Sequence, residues 1–329
     1  MAMAKLDYQN IINLIQIQIK ENPTYPDLHY QMALFQAYYG NYTAAKKELS
    51  QSILINPNYS QAIELKKTIY SLRETEIVRP NQLKTPPICF SEVHNLASIY
   101  FAQNGQFDLA KEALEKSYAI TKDESDYHLH LGLLEESKGD LNSAITYLTK
   151  ALEMKSQIWL PYFVLSQIYA VQDNLKDAGD ILKRGVDLFP NFADLQYHLG
   201  LLKIGESNFE EAVHHLSEAV EINPTYIFAH YHLGNAYMQS GNSPIAEIEF
   251  SKTIELGFNE ASIYLDLARA QYQNGKYTVA EGSARNAIIL DSSYVEAYHF
   301  LAEIYDKLGK FDLRDRARES ANALITGVG

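Results

Sequence analysis

The sequence predicts an all-α chain built from repeated helical hairpins, and three observations carry that prediction. The composition suits helices: 47% of the 329 residues are hydrophobic, 21% are charged, Tyr occurs 24 times, and Gly (16) and Pro (10) are scarce. Columns of unlike residues recur at one shared spacing of 34 positions. Prolines stand where three units would close, at Pro57, Pro190 and Pro224, and proline ends a helix.

The alanine column is the cleanest: Ala110, Ala144, Ala178, Ala212, Ala246 and Ala280. Five residues earlier runs a glycine column, Gly105, Gly139, Gly241 and Gly275, with Asp173 and Ser207 filling its gaps. A leucine column reads Leu131, Leu165, Leu199, Leu233, Leu267 and Leu301. Each leucine lies four residues before Glu135, Tyr169, Lys203, Tyr237, Gln271 or Tyr305, which is helical spacing. The glycine position then ends the first helix, where a positive φ suits a C-cap. The alanine lies in a second helix, where a larger side chain would push the paired helix away. Each unit therefore reads helix–turn–helix.

This pattern resembles the tetratricopeptide repeat, whose signature is W-x2-L-G-x2-Y, then A-x3-F, then P. The matching residues are Leu233, Gly234, Tyr237, Gly241, Ala246 and Phe250 in one unit, and Leu199, Gly200, Phe209, Ala212, Ala219 and Pro224 in another. The resemblance implies a right-handed superhelical α-solenoid. The units register as 91–124, 125–158, 159–192, 193–226, 227–260, 261–294 and 295–328. An earlier unit spans 26–59, carrying Gly40, Tyr42, Ala45, Leu49 and Pro57. Residues 5–22 read as the second helix of a truncated unit, and Gln61 to Leu72 as a lone first helix.

The array is expected to break once. Residues 75–90 hold Pro80, Pro86 and Pro87, and no helix survives that spacing. The predicted organisation is an N-terminal block (1–74), a proline-containing linker (75–90) and a main array of about seven repeats (91–329). The Leu96–Ala97 pair stands one residue early relative to Gly105, so a one-residue insertion is expected in that first helix. In the last unit Arg314 replaces the column alanine, and the polar helix from Asp312 to Leu324 reads as an array cap. The tail beyond Leu324 is expected to fray.

Charge and motifs exclude several functions. The chain carries 28 Lys and Arg against 41 Asp and Glu, a net charge of −13, which disfavours binding a phosphate backbone. Residues 1–90 hold 9 basic and 7 acidic side chains, net +2, so residues 91–329 hold 19 and 34, net −15. No apolar run reaches the roughly 18 residues that span a bilayer, so no membrane insertion is expected. Asn13, Gln16 and Gln18 interrupt the N-terminal apolar segment, which argues against a secretory signal and for a cytoplasmic location. Cys89 is the sole cysteine, so no internal disulfide or CxxC site exists. Phosphate-loop, dinucleotide, nucleophile-elbow and H-E-x-x-H motifs are absent. No catalytic segment and no cofactor is therefore expected. His214 and His215 are neighbours on a helix and point about 100° apart, a poor metal pair. The Tyr–His pairs at 127/128, 197/198, 231/232 and 298/299 follow from repeat duplication.

The resemblance places the first helices on an inner, concave surface. Repeat positions 2, 5, 6, 9, 12 and 13 share the face left over after internal packing. There the sequence gathers Leu129, His130 and Leu133; Leu160, Phe163, Val164 and Gln167; Tyr197, His198 and Leu201; Phe228, Tyr231, His232 and Asn235; and Arg269. Each of these residues either binds a ligand or packs between neighbouring first helices. Some members of the family hold a C-terminal carboxylate with a Lys/Asn/Asn/Lys/Arg clamp on these positions. Only Asn235 and Arg269 match it here, so such capture is not expected. The expected partner is a protein or peptide with an apolar or amphipathic segment, and basic flanks would steer it towards the acidic array. The leading reading is a non-catalytic scaffold that helps assemble a protein complex. The alternatives are a self-assembling homo-oligomeric scaffold and a metal or small-ligand carrier using the histidines.

Overall fold

The computed structural model describes residues 8–71, 89–154 and 158–326. Two compact units result, residues 1–168 and 169–329. The first holds α1 (Gln9–Glu21), α2 (Pro26–Tyr38), α3 (Tyr42–Ile55), α4 (Ser60–Ser71), α5 (Cys89–Gln103), α6 (Phe107–Thr121), α7 (Glu124–Ser137), α8 (Leu141–Glu153) and most of α9 (Leu160–Val171). The second holds α10 (Leu175–Leu188), α11 (Ala193–Gly205), α12 (Phe209–Ile222), α13 (Ile227–Gln239), α14 (Ser243–Glu255), α15 (Ala261–Gln273), α16 (Tyr277–Leu290), α17 (Val295–Lys307) and α18 (Phe311–Thr326). Among the described residues there is no strand.

The turn inside each hairpin explains the glycine column. Helix α7 ends at Ser137, and Gly139 adopts φ +82°. The Asp140 N–H then donates to the Glu135 carbonyl at 2.9 Å, and the Gly139 N–H donates to that of Glu136 at 2.8 Å. This pair of bonds closes a helix by a left-handed residue. Asp140 also begins α8, because its side chain accepts the Ser143 N–H at 3.1 Å. The equivalent closing bonds run from Asn208 to Lys203, from Asn242 to Tyr237 and from Lys276 to Gln271. Asp173 and Ser207 adopt φ +59° and +57° although they carry a Cβ, so the turn overrides their preference.

The alanine and glycine columns set how close the two helices of a hairpin come. Ala110, Ala144, Ala212, Ala246 and Ala280 are fully buried. A Cβ built on Gly132 would stand 2.6 Å from Leu148, one on Gly200 2.7 Å from Leu216, and one on Gly234 2.7 Å from Phe250. Gly therefore marks the point where a buried Leu or Phe of the second helix presses on the first. In the second unit each second helix packs on the following first helix, α12 on α13, α14 on α15 and α16 on α17. Helices α11 to α17 are thus each packed by a helix on both sides, the condition a repeat needs for stability.

The N-terminal helices share one core with α5 and α6. Tyr8, Ile12, Phe35, Leu49, Leu65, Val93 and Leu114 belong to a single buried cluster, and α2 packs directly on α5. The predicted lone first helix is α4, and the second helix of the truncated unit is α1. Residues 75–88 of the expected linker lie outside the described residues, as do residues 5–7 of the truncated unit, residues 327–329 of the tail and the side chain of Cys89.

Helix α5 corrects the expected insertion. It is one continuous α-helix, and Gln103 ends it two residues before Gly105, as Ser137 stands two before Gly139. Ala97 and Ser98 are buried at the places that Leu131 and Gly132 hold in the next unit. The leucine column simply carries alanine here, and the register is intact.

Candidate functional site

In the first unit the first-helix face is built by α5 and α7. Asn95 donates to Asp126 at 2.9 Å and ties the middle of α5 to the first turn of α7. One turn on, the His130 ring faces the same carboxylate, Nε2 to Oδ1 at 3.5 Å. These two contacts outweigh burial and hold the Asp126 carboxyl below the usual carboxylate range. His130 Nδ1 and His128 Nδ1 are buried and meet no partner among the described residues. Towards the C-terminal ends a cavity of about 190 Å³ opens, walled by Ile99, Ala102 and Gln103 of α5 and by His130, Leu133 and Glu136 of α7. His130 and Leu133 were predicted from the sequence. The α5 wall was not, because the assumed insertion put that helix out of register; positions 9, 12 and 13 of its unit would have found it.

Helix α9 carries four predicted residues with unequal exposure. Phe163 packs on Trp159 with ring centroids 6.1 Å apart. Val164 is buried, Leu160 is half-buried and Gln167 is exposed.

In the second unit the face runs along α11, α13, α15 and α17. Tyr197 lies against His198 and against His232 of the next first helix, with centroids 5.0 and 5.8 Å away. Tyr231 donates to Asp266 at 3.2 Å and also bonds Asn235. Asp266 in turn accepts from Arg269 at 3.0 Å, and the second guanidinium nitrogen reaches Glu296 on α17. Tyr197, His198, Tyr231, His232, Asn235 and Arg269 are thus linked pairwise from helix to helix. Leu201 is half-buried against the cluster around Leu216 and Leu233. Phe228 stacks edge-on with Phe258 at 5.3 Å and keeps 51% of its surface exposed.

Burial sets the electrostatics. It holds His198 and His232 below the ordinary histidine range, so both rings are neutral at pH 7. It raises the Asp266 carboxyl against the pull of Arg269, and it raises the Tyr197 and Tyr231 hydroxyls. The face is therefore a strip of aromatic and neutral imidazole rings, bordered by acid at Asp194 on α11, at Asp266 on α15 and at Glu296 on α17.

Three predicted residues take the packing role. Leu129 is 3% exposed, Val164 8% and Tyr197 9%. Positions 5 and 6 of a first helix lie closest to the neighbouring hairpin, so side chains there are shared with it. Among the described residues no group of three or more His, Cys, Asp or Glu side chains is arranged to hold a metal ion, and no helix is long and apolar enough to cross a membrane.

Helical hairpins in tandem, closed by left-handed glycines and packed through an alanine column, define a repeat protein of the helix–turn–helix class. Sequence models agree: residues 93–124 and 125–158 match a tetratricopeptide repeat, residues 206–241 match a TPR repeat, and residues 265–325 match another tetratricopeptide repeat model. The chain is a tetratricopeptide repeat protein. No curated protein matches it. Solved structures do. YrrB, described as a TPR protein with an unusual peptide-binding site, is 22% identical over 57% of this chain and 97% of its own, with a TM-score of 0.51. MamA from Desulfovibrio magneticus RS-1 is 15% identical over 52% and 96%, TM-score 0.49. A tetratricopeptide repeat protein from Parabacteroides merdae is 17% identical over 71% and 93%, TM-score 0.46. At these identities the likeness concerns the fold.

Proposed function

We propose that this protein is a non-catalytic interaction scaffold that holds an apolar or amphipathic segment of a partner protein along its first-helix faces and so helps assemble a complex. Binding protein partners is the general role of its repeat class. The observation that carries the finer reading is Phe228, a large aromatic left half-exposed on α13, the helix that also bears the neutral His232 ring. Exposed aromatic surface of this kind marks interaction sites. Carboxylate capture fits poorly, because Arg269 is already engaged by Asp266 and Glu296 and Asn235 by Tyr231.

The test is affinity purification with mass spectrometry from the native host. Wild type is compared with a Phe228→Ala/Gln167→Ala variant and with Ile248→Ala, which removes an exposed side chain from a second helix. Loss of a specific partner from the first variant and its retention by the second supports the reading. Equal recovery from all three proteins refutes it.

A further inference from the structure

We infer that the cavity between α5 and α7 receives a lysine or arginine side chain of a bound peptide; this rests on the peptide-binding reading above and adds the chemistry of one of its anchor points.

Three features converge on a cation with an apolar stem. The first is shape and lining. The cavity is about 190 Å³, and Ile99, Ala102 and Leu133 supply its apolar wall. Lys and Arg bury their methylene stems along such surfaces while the charged head stays wet. The second is charge. Glu136 stands at the rim, exposed and engaged in no ion pair among the described residues, with the Gln103 amide across from it, and no Lys or Arg contributes to the wall. The cavity also lies at the last turns of both helices, which end at Gln103 and Ser137. Helix C-termini carry partial negative charge and favour cations. The third is hydrogen-bonding capacity at the rim. The Glu136 carboxylate and the Gln103 amide oxygen are acceptors that a bound ammonium or guanidinium can meet with its donors.

The alternatives fit less well. A purely apolar side chain would leave Glu136 and Gln103 unused and would desolvate the carboxylate. An acidic side chain would meet Glu136 and two helix C-termini of the same sign.

The test uses the full chain and a phage-displayed random-peptide library. Peptides selected on the wild type are expected to share a Lys or Arg at one fixed position. A synthetic selected peptide, followed by fluorescence anisotropy, is expected to bind Glu136→Gln about tenfold more weakly, the loss of one charge-assisted contact. Replacing its basic residue by norleucine should cost the wild type as much and Glu136→Gln nothing further. Glu136→Lys should instead select peptides with Asp or Glu at that position. Glu136 is exposed, so neither substitution threatens the fold. Selected peptides without a fixed basic residue, or equal binding by wild type and Glu136→Gln, overturn the inference and leave the peptide-binding reading standing. If the wild type selects no peptide at all, both fall together.

Discussion

The imidazole of His230 spans two oxygens, with Nδ1 2.7 Å from Glu249 Oε2 and Nε2 3.1 Å from the Pro224 carbonyl. His29 repeats the arrangement in the N-terminal helices, at 2.7 Å from Glu48 and 3.2 Å from the Pro23 carbonyl. A third version joins Gln196 to His215 at 2.9 Å, again 19 residues apart. The repeat signature puts Trp at this first-helix position. In these three repeats a polar residue stands in its place and meets a partner on the second helix of its own hairpin. The pairs therefore fix hairpin register as well as filling space. His230 and Glu249 keep only 10% and 16% of their side-chain surface exposed. Removing one member leaves the other buried and unmet, so His230→Phe or Glu249→Leu alone should destabilise the second unit by about 1–3 kcal/mol. The double variant removes both polar groups and should recover most of that loss. Urea unfolding of the four proteins gives the coupling, and additive single losses would contradict the paired reading.

Two glycine-to-alanine changes should have opposite signs. Gly234 faces Phe250 so closely that a Cβ would stand 2.7 Å from its ring, and Phe250 is fully buried and cannot yield. Gly234→Ala should cost about 1–3 kcal/mol through overpacking, even after the helix-propensity gain. Gly282 lies inside α16, exposed, with nothing within 4 Å of a Cβ. Gly282→Ala should add up to about 1 kcal/mol. Thermal melts of the two single variants decide it: shifts in the same direction would mean that the close approach at Gly234 does not limit packing.

The hairpin turns make a third test. Ser207 holds φ +57° where the repeat prefers glycine, and Gly241 holds φ +80° at the same register. Ser207→Gly should gain a few tenths to about 1 kcal/mol, and Gly241→Ala should lose about 1 kcal/mol. Both positions are exposed, and at Gly241 no atom crowds a Cβ, so backbone strain is the main variable. A stability unchanged by Gly241→Ala would count against the left-handed turn as the reason for the column.

The repeat was legible because each column answers to one local demand. Positive φ selects glycine, close helix approach selects alanine or glycine, and burial selects leucine, so spacing alone exposed the hairpins. The candidate site was legible only in part. Sequence position identifies a face, but it cannot apportion one side chain between a ligand and a neighbouring helix. Leu129 and Tyr197 fell to packing, whereas Phe228 stayed exposed in the first turn of its helix. The α5 wall of the cavity escaped notice because Ala97 and Ser98 broke the leucine–glycine column that marks register. The bonds from Tyr231 to Asp266 and from Asn95 to Asp126 join different repeats, and no short-range pattern announces them.

His94 should make the N-terminal helices sensitive to acid. Its ring is 5% exposed and touches Tyr8, whose hydroxyl lies 2.6 Å from Nδ1; Tyr8 itself is fully buried and also packs on Phe35. Burial, helped by the charge of Lys116, pushes the His94 pKa from 6.5 down to about 4. The folded value is lower than the unfolded one, so the unfolded chain binds the proton first. Stability from this site is therefore fully present above pH 6.5 and is lost progressively as the pH falls from there towards 4. The span corresponds to roughly 3 kcal/mol, enough to release helix α1 from α5 before the rest of the array opens. Amide exchange of residues 9–21 measured between about pH 7.5 and 4.5 should show that loss of protection, and His94→Phe, which cannot be protonated, should flatten it. If the wild type and His94→Phe lose protection in parallel on acidification, another group controls the N-terminal helices.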